Sequence, residues 1–204
     1  MVLAIGVMAH LLAVVSATGP AQAACTPTGP YDNSANTVVC NPGANENLDT
    51  AGGGDSVTVL SGPVGTVPMG SGNAEFYVLG GVVVAVDQGS YNDLLVMSGG
   101  TAGAIDQGSG TDRMEISAGF VTGGVFQNSG RDTFVMSGGT IGSLNQGSNS
   151  DFAFINGGTI TDLFFAGDYV EFAGGSIGQI NLESTDNIFY MWGTASVIGG
   201  VNSE

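Results

Sequence analysis

Two copies of the tetrapeptide Asp-Gln-Gly-Ser, at 87–90 and 106–109, place Asp87 and Asp106 19 residues apart. Carboxylates brought together can share a proton or a calcium ion, and acidic clusters on one face of a β-structure are a known way to cleave acidic polysaccharides. The plainer use of aspartate at such a place is a bond to its own backbone in a turn. Asn145 fills the same place in a later copy, which favours the turn. The rest of the sequence offers little support for catalysis. It has no lysine, its two bases are Arg113 and Arg131, and its single histidine is His10 in the leading apolar stretch. A Ser–His or Cys–His nucleophile and a His-based zinc site are therefore excluded once that stretch is removed. No catalytic residue, cofactor site or metal site is assigned.

Eighteen acidic residues against two basic ones give a formal charge of -16, which repels phosphate backbones and excludes nucleic acid as a partner. Residues 1–23 form an apolar run ending in Ala21-Gln22-Ala23, the pattern of a secretory signal peptide with a small-residue cleavage site, although no base precedes the run. Cys25 and Cys40 follow at once. An exported chain with two cysteines and a short loop between them is expected to form a disulfide, worth about 3 kcal/mol through loop entropy. Residues 24–50 are accordingly read as an N-terminal cap holding this loop, and 51–204 as the repeat region.

The elements that position these residues emerge from the 36 glycines. Eight segments share a polar opening, alternating apolar residues and a closing glycine: DSVTVLSG, AEFYVLGG, DLLVMSGG, DRMEISAG, DTFVMSGG, DFAFINGG, DYVEFAGG and DNIFYMWG. Their closing glycines are spaced by 19, 19, 19, 20, 19, 17 and 18 residues. Within each unit the second and fourth residues after the opening are mainly apolar, as in Val57 and Val59 or Met114 and Ile116, the period of a half-buried strand. A second apolar pair follows three apart, as in Val64 and Val67 or Ile141 and Leu144. Four units then pass through a glutamine-containing segment (87–90, 106–109, 127–130 and 145–148) that reads as a polar turn. A unit this short cannot bury its apolar side alone, but stacked units can. The pattern predicts an all-β, right-handed parallel β-helix, or solenoid, of about eight coils with a period of about 19 residues. An antiparallel sandwich is the rival, and it lacks a reason for such even spacing.

Two outward features follow from that register. Asp55, Asp93, Asp112, Asp132, Asp151, Asp168 and Asp186 open seven of the eight units and are expected to end strands and form turns along one edge. The position between the two inward residues reads Thr58, Tyr77, Val96, Glu115, Val135, Phe154, Glu171 and Phe189, flanked by Leu94, Phe152 and Tyr169. Tyr77, Val96, Val135, Phe154 and Phe189 are thus expected to line an exposed apolar face suited to partner contact.

The signal-like start, the CTPTGP…NTVVC segment and the repeats ending in MSGGT at 97–101 and 136–140 resemble the passenger region of Gram-negative autotransporters, over nearly the whole mature chain. That resemblance implies a right-handed β-helix carried through the periplasm and displayed at the cell surface by an outer-membrane β-barrel translocator, and a role in adhesion, self-association or virulence. The chain lacks the run of amphipathic strands a barrel needs, so a fragment of a longer protein, with its barrel elsewhere, is expected. Host-cell or self-association contacts are the expected partners, and no cofactor is implied. A secreted β-helix polysaccharide lyase or hydrolase is the alternative function. Long loops between coils would favour it, whereas the units vary by only about two residues around their mean.

Overall fold

The computed structural model describes residues 25–42 and 46–203. The expected signal peptide, residues 1–23, and His10 lie outside the described residues. What is described is all-β: a parallel β-solenoid of about nine turns with a period of about 19 residues. The additional turn comes from Thr37–Cys40, which pairs in parallel with Ser56–Val59 and forms the first coil rather than part of a cap.

Each coil contributes two main walls. The first wall stacks Thr37–Cys40, Ser56–Val59, Glu75–Val78, the start of Leu94–Asp106, the start of Arg113–Phe126, Thr133–Met136, Phe152–Ile155, Tyr169–Phe172 and Ile188–Met191, all in parallel. The second wall stacks Pro63–Pro68, Val82–Asp87, the ends of the two long strands, Thr140–Asn145, Thr159–Phe165 and Ser176–Leu182. Serines bridge the return corner: Ser71 to Ser90, Ser90 to Ser109, and Ser129 to Ser148.

Alternation dictates the core. On the first wall, Val57, Phe76, Leu95, Met114, Phe134, Ala153 and Val170 stack in one buried column, and Val59, Val78, Met97, Ile116, Met136, Ile155 and Phe172 in the next. The second wall supplies Val83, Ala102, Val121, Ile141, Ile160 and Ile177, with Val86, Ile105, Val125, Leu144, Leu163 and Ile180 beside them. Each residue thus meets its counterpart one coil away at the strand spacing of about 4.8 Å. A repeat without a helix buries its apolar side by this stacking.

The glycine of the Asp-Gln-Gly-Ser motif has a specific reason. Gly89 and Gly108 hold φ of +87° and +81°, and a Cβ on either would meet the carbonyl of its counterpart one coil below. Positive φ and close approach both require glycine there.

At the start, Cys25–Thr26 runs antiparallel to Thr37–Cys40, and Cys25 and Cys40, both buried, are joined by a disulfide. The bond ties a two-residue strand to the first coil across a separation of 15 residues. Substituting both cysteines by serine is expected to lower the unfolding free energy by about 3 kcal/mol. Urea unfolding of the oxidised protein and the variant checks this; coincident midpoints would show that the link adds nothing.

Candidate functional site

Two ladders of polar residues run along the interior, and one wall presents aromatic and acidic side chains outward. The first ladder is built at the opening position of each coil. Asn36, Asp55, Asp93, Asp112, Asp132, Asp151 and Asp168 follow one another up the stack, with Ala74 in one place and Asn187 at the top. Each carboxylate reaches one coil down: Asp112 Oδ1 accepts from the Asp93 N–H at 2.9 Å, Asp132 Oδ1 from Asp112 at 2.7 Å, and Asp151 Oδ1 from Asp132 at 2.7 Å. The aspartates therefore clamp neighbouring coils together, rather than ending strands in solvent as the sequence suggested. The last opening residue is also corrected. Asn187, not Asp186, occupies the ladder, accepting from the N–H groups of Gly167 and Asp168.

The other oxygen, Oδ2, of Asp55, Asp93, Asp112, Asp132 and Asp151 is buried and has no hydrogen-bond partner. Burial disfavours the charged form, and it pushes Asp93, Asp112 and Asp151 up to about 7 and Asp132 up to about 6. The accepted backbone N–H opposes that shift, and the neighbouring carboxylates add to it. These side chains are thus proton-binding groups inside a structural seam, closed to any substrate.

The second ladder is glutamine. Gln88, Gln107, Gln127 and Gln146 are fully buried in the bore, where the sequence suggested exposed turns. Gln107 Nε2 donates to Gln88 Oε1 at 3.0 Å, Gln127 Nε2 to Gln107 Oε1 at 2.9 Å, and Gln146 Nε2 to Gln127 Oε1 at 3.2 Å. Gln88, Gln107 and Gln146 also each donate from Nε2 to a backbone carbonyl, of Leu94, Arg113 and Phe152 respectively. Met69 and Phe165 occupy the same column below and above, so the polar run is closed at both ends by apolar side chains.

Asp87 and Asp106 do stack directly, one coil apart, on the outside of the second wall. Partial burial and the Asp106 charge raise Asp87 above the usual carboxylate range. Asp106 instead accepts a hydrogen bond from Asn128 Nδ2 at 2.5 Å. Among the described residues no group of three or more His, Cys, Asp or Glu is placed to hold a metal ion.

The outward face of the first wall is the remaining arrangement with chemical character. Its central column reads Thr58, Tyr77, Val96, Glu115, Val135, Phe154, Glu171 and Tyr190 in continuous register. Tyr77, Val96, Val135 and Phe154 occupy the expected outward positions and are half-buried among their neighbours. Phe189 does not. It pairs with Val170 in the inward column, stacks on Phe165 and packs tilted against Phe172, with ring centroids at 6.1 and 6.4 Å. Because Asn187 opens the last coil, the register there moves by one and Tyr190 takes the outward place.

Around Phe154 the face is aromatic. Phe152 and Phe154 lie parallel with centroids 6.4 Å apart, and Tyr169 packs on both, at 5.9 and 6.4 Å; Tyr190 continues the cluster 5.7 Å from Tyr169. Carboxylates are set among the rings: Tyr77 O–H donates to Glu75 and Tyr169 O–H to Glu171. A further exposed apolar group, Leu79, Val82, Val84 and Phe120, lies at the corner and on the second wall. Val82 and Val84 did not stand out in the sequence because they flank the inward Val83 in one apolar run, where residue type does not separate the two faces.

Comparison with protein-family models, with curated proteins and with solved structures returns no match for this chain.

Proposed function

We propose that the chain is an exported, passenger-type β-solenoid that acts at the cell surface as a stalk and adhesin, making contact through the outward face of its first wall. In the full-length protein an outer-membrane β-barrel would carry it across the outer membrane. The observation that carries this reading is the unbroken outward column from Tyr77 through Val96, Val135 and Phe154 to Tyr190 on a wall whose register does not shift within its strands. A half-exposed column of apolar and aromatic side chains, with Glu115 and Glu171 set into it, suits docking by extended surface. Coils that pass without long insertions raise no walls around this face, so contact by extended surface accounts for it better than turnover does.

Replacing Tyr77 and Phe154 together by serine is the test. The double variant is expected to keep its β-sheet circular dichroism and its unfolding free energy to within about 1 kcal/mol, because both side chains lie outside the bore. Binding of the purified chain to cells, or its self-association in sedimentation, should fall at least tenfold. Unchanged binding by both measures would remove this wall as the contact surface.

A further inference from the structure

Both arginines of the chain sit by the first wall, and each is held by the chemistry that the wall repeats. Arg113 Nε lies 2.7 Å from Glu115 Oε1, two residues along the same strand. The Arg131 guanidinium lies over the Phe152 ring, 4.8 Å from its centroid, within the range of a cation–π contact. The wall thus holds a guanidinium in two ways, on a carboxylate and on an aromatic face. The same two groups recur elsewhere on it without a basic side chain. Glu171 lies between Phe154 and Tyr190 in the outward column, with Tyr169 beside it, and Glu75 lies beside Tyr77. The formal charge of -16, with no lysine, leaves the chain no cations of its own for them.

From this repetition we infer that the first wall binds an arginine-bearing, extended segment of a partner polypeptide, with the Phe154–Tyr169–Glu171–Tyr190 cluster as its main anchor and Glu75–Tyr77 as a second. The inference rests on the proposed docking role of this wall and names the chemistry of what docks. Arginine fits better than lysine because its planar guanidinium can lie flat on a ring while its N–H groups reach a carboxylate. The two anchors are five coils apart, about 24 Å at the strand spacing, which an extended segment of about seven residues spans.

The probe is a Gly/Ser peptide carrying two arginines seven residues apart, titrated calorimetrically against the whole chain, with matched citrulline and lysine peptides. The arginine peptide should bind at least tenfold more tightly than the citrulline peptide and measurably more tightly than the lysine peptide. Glu171→Gln with Tyr190→Ser should weaken it at least tenfold. Asp162→Asn, which removes the same charge from the second wall, should weaken it less than twofold. Equal binding of the arginine and citrulline peptides, or an equal effect of Asp162→Asn, would overturn the inference, the second by reducing the attraction to net charge. If the arginine peptide fails while attachment sensitive to Tyr77→Ser and Phe154→Ser persists, the partner class is wrong and the docking wall stands. If both fail, the docking role falls with it.

Discussion

Replacing Gln107 by leucine is expected to lower the unfolding free energy by about 2–5 kcal/mol, although leucine is the more apolar residue and the site is fully buried. The cause lies in the neighbours. Gln107 Oε1 receives the Gln127 amide and Gln107 Nε2 serves Gln88 Oε1. Removing it leaves a donor on one coil and an acceptor on another buried without partners, at about 1–3 kcal/mol each. Changing all four glutamines to leucine should cost less than the single change, because no glutamine amide is then left facing a missing partner and only the carbonyls of Leu94, Arg113 and Phe152 lose a side-chain donor. Urea unfolding of the single and quadruple variants decides this. A single variant as stable as the parent, or a quadruple variant worse than the single one, would mean that volume rather than hydrogen bonding governs the column.

The second large effect is a loss of stability on raising the pH from about 5 to 8. Asp93, Asp112, Asp132 and Asp151 have folded-state values raised from 3.8 to about 6 or 7, so the fold binds protons that the unfolded chain releases. Stability from this source is fully present below about pH 4 and is lost as the pH rises through 6 to 7. A unit of difference is worth about 1.4 kcal/mol. A net loss of only about 2 kcal/mol across the ladder would lower Tm by roughly 4–8 °C in a domain of this size. General repulsion within so acidic a chain has the same sign, so the ladder must be isolated. Asp112→Asn with Asp132→Asn keeps the Oδ1 acceptor, as Asn187 does, and removes the titrating oxygen. This variant should gain stability at pH 8 and show a flatter profile, whereas Asp162→Asn should not. A profile unchanged in the double variant would show that these carboxyls titrate normally.

Both effects arise from residues whose type was visible in the sequence and whose place was not. The repeat, the inward pairs such as Val57 and Val59, and the outward run from Tyr77 to Phe154 follow from period alone, since alternation within a strand is a local property. Gln107 between Asp106 and Gly108 looks like a turn locally. It enters the bore because its counterparts one coil above and below supply its partners, a property of the stack. Asp112 was legible as a recurrent opening residue, but its reach to the Asp93 N–H depends on a neighbour 19 residues away. The slip at Phe189 has a related origin. Asp186 and Asn187 both resemble an opening residue, and only the amide groups of Gly167 and Asp168 select between them. Thr37–Cys40 alternates like the other first-wall strands, and Gly43 closes its segment 19 residues before Gly62, but Cys40 within it drew the segment into the disulfide loop and hid the first coil.

The coils differ in length chiefly where no ladder residue stands. Between Phe165 and Asp168 the chain turns in two residues, Ala166 and Gly167, whereas the next coil uses the exposed residues 183–186 for the same corner. The four-residue strands of the first wall, by contrast, hold their internal register in every coil. Circumference at that corner is therefore a free variable while the wall is fixed. A foreign loop grafted at 183–186 should lengthen one turn without re-aligning the others, so the molecule has the geometry of a display scaffold whose cargo can change while its first wall is preserved.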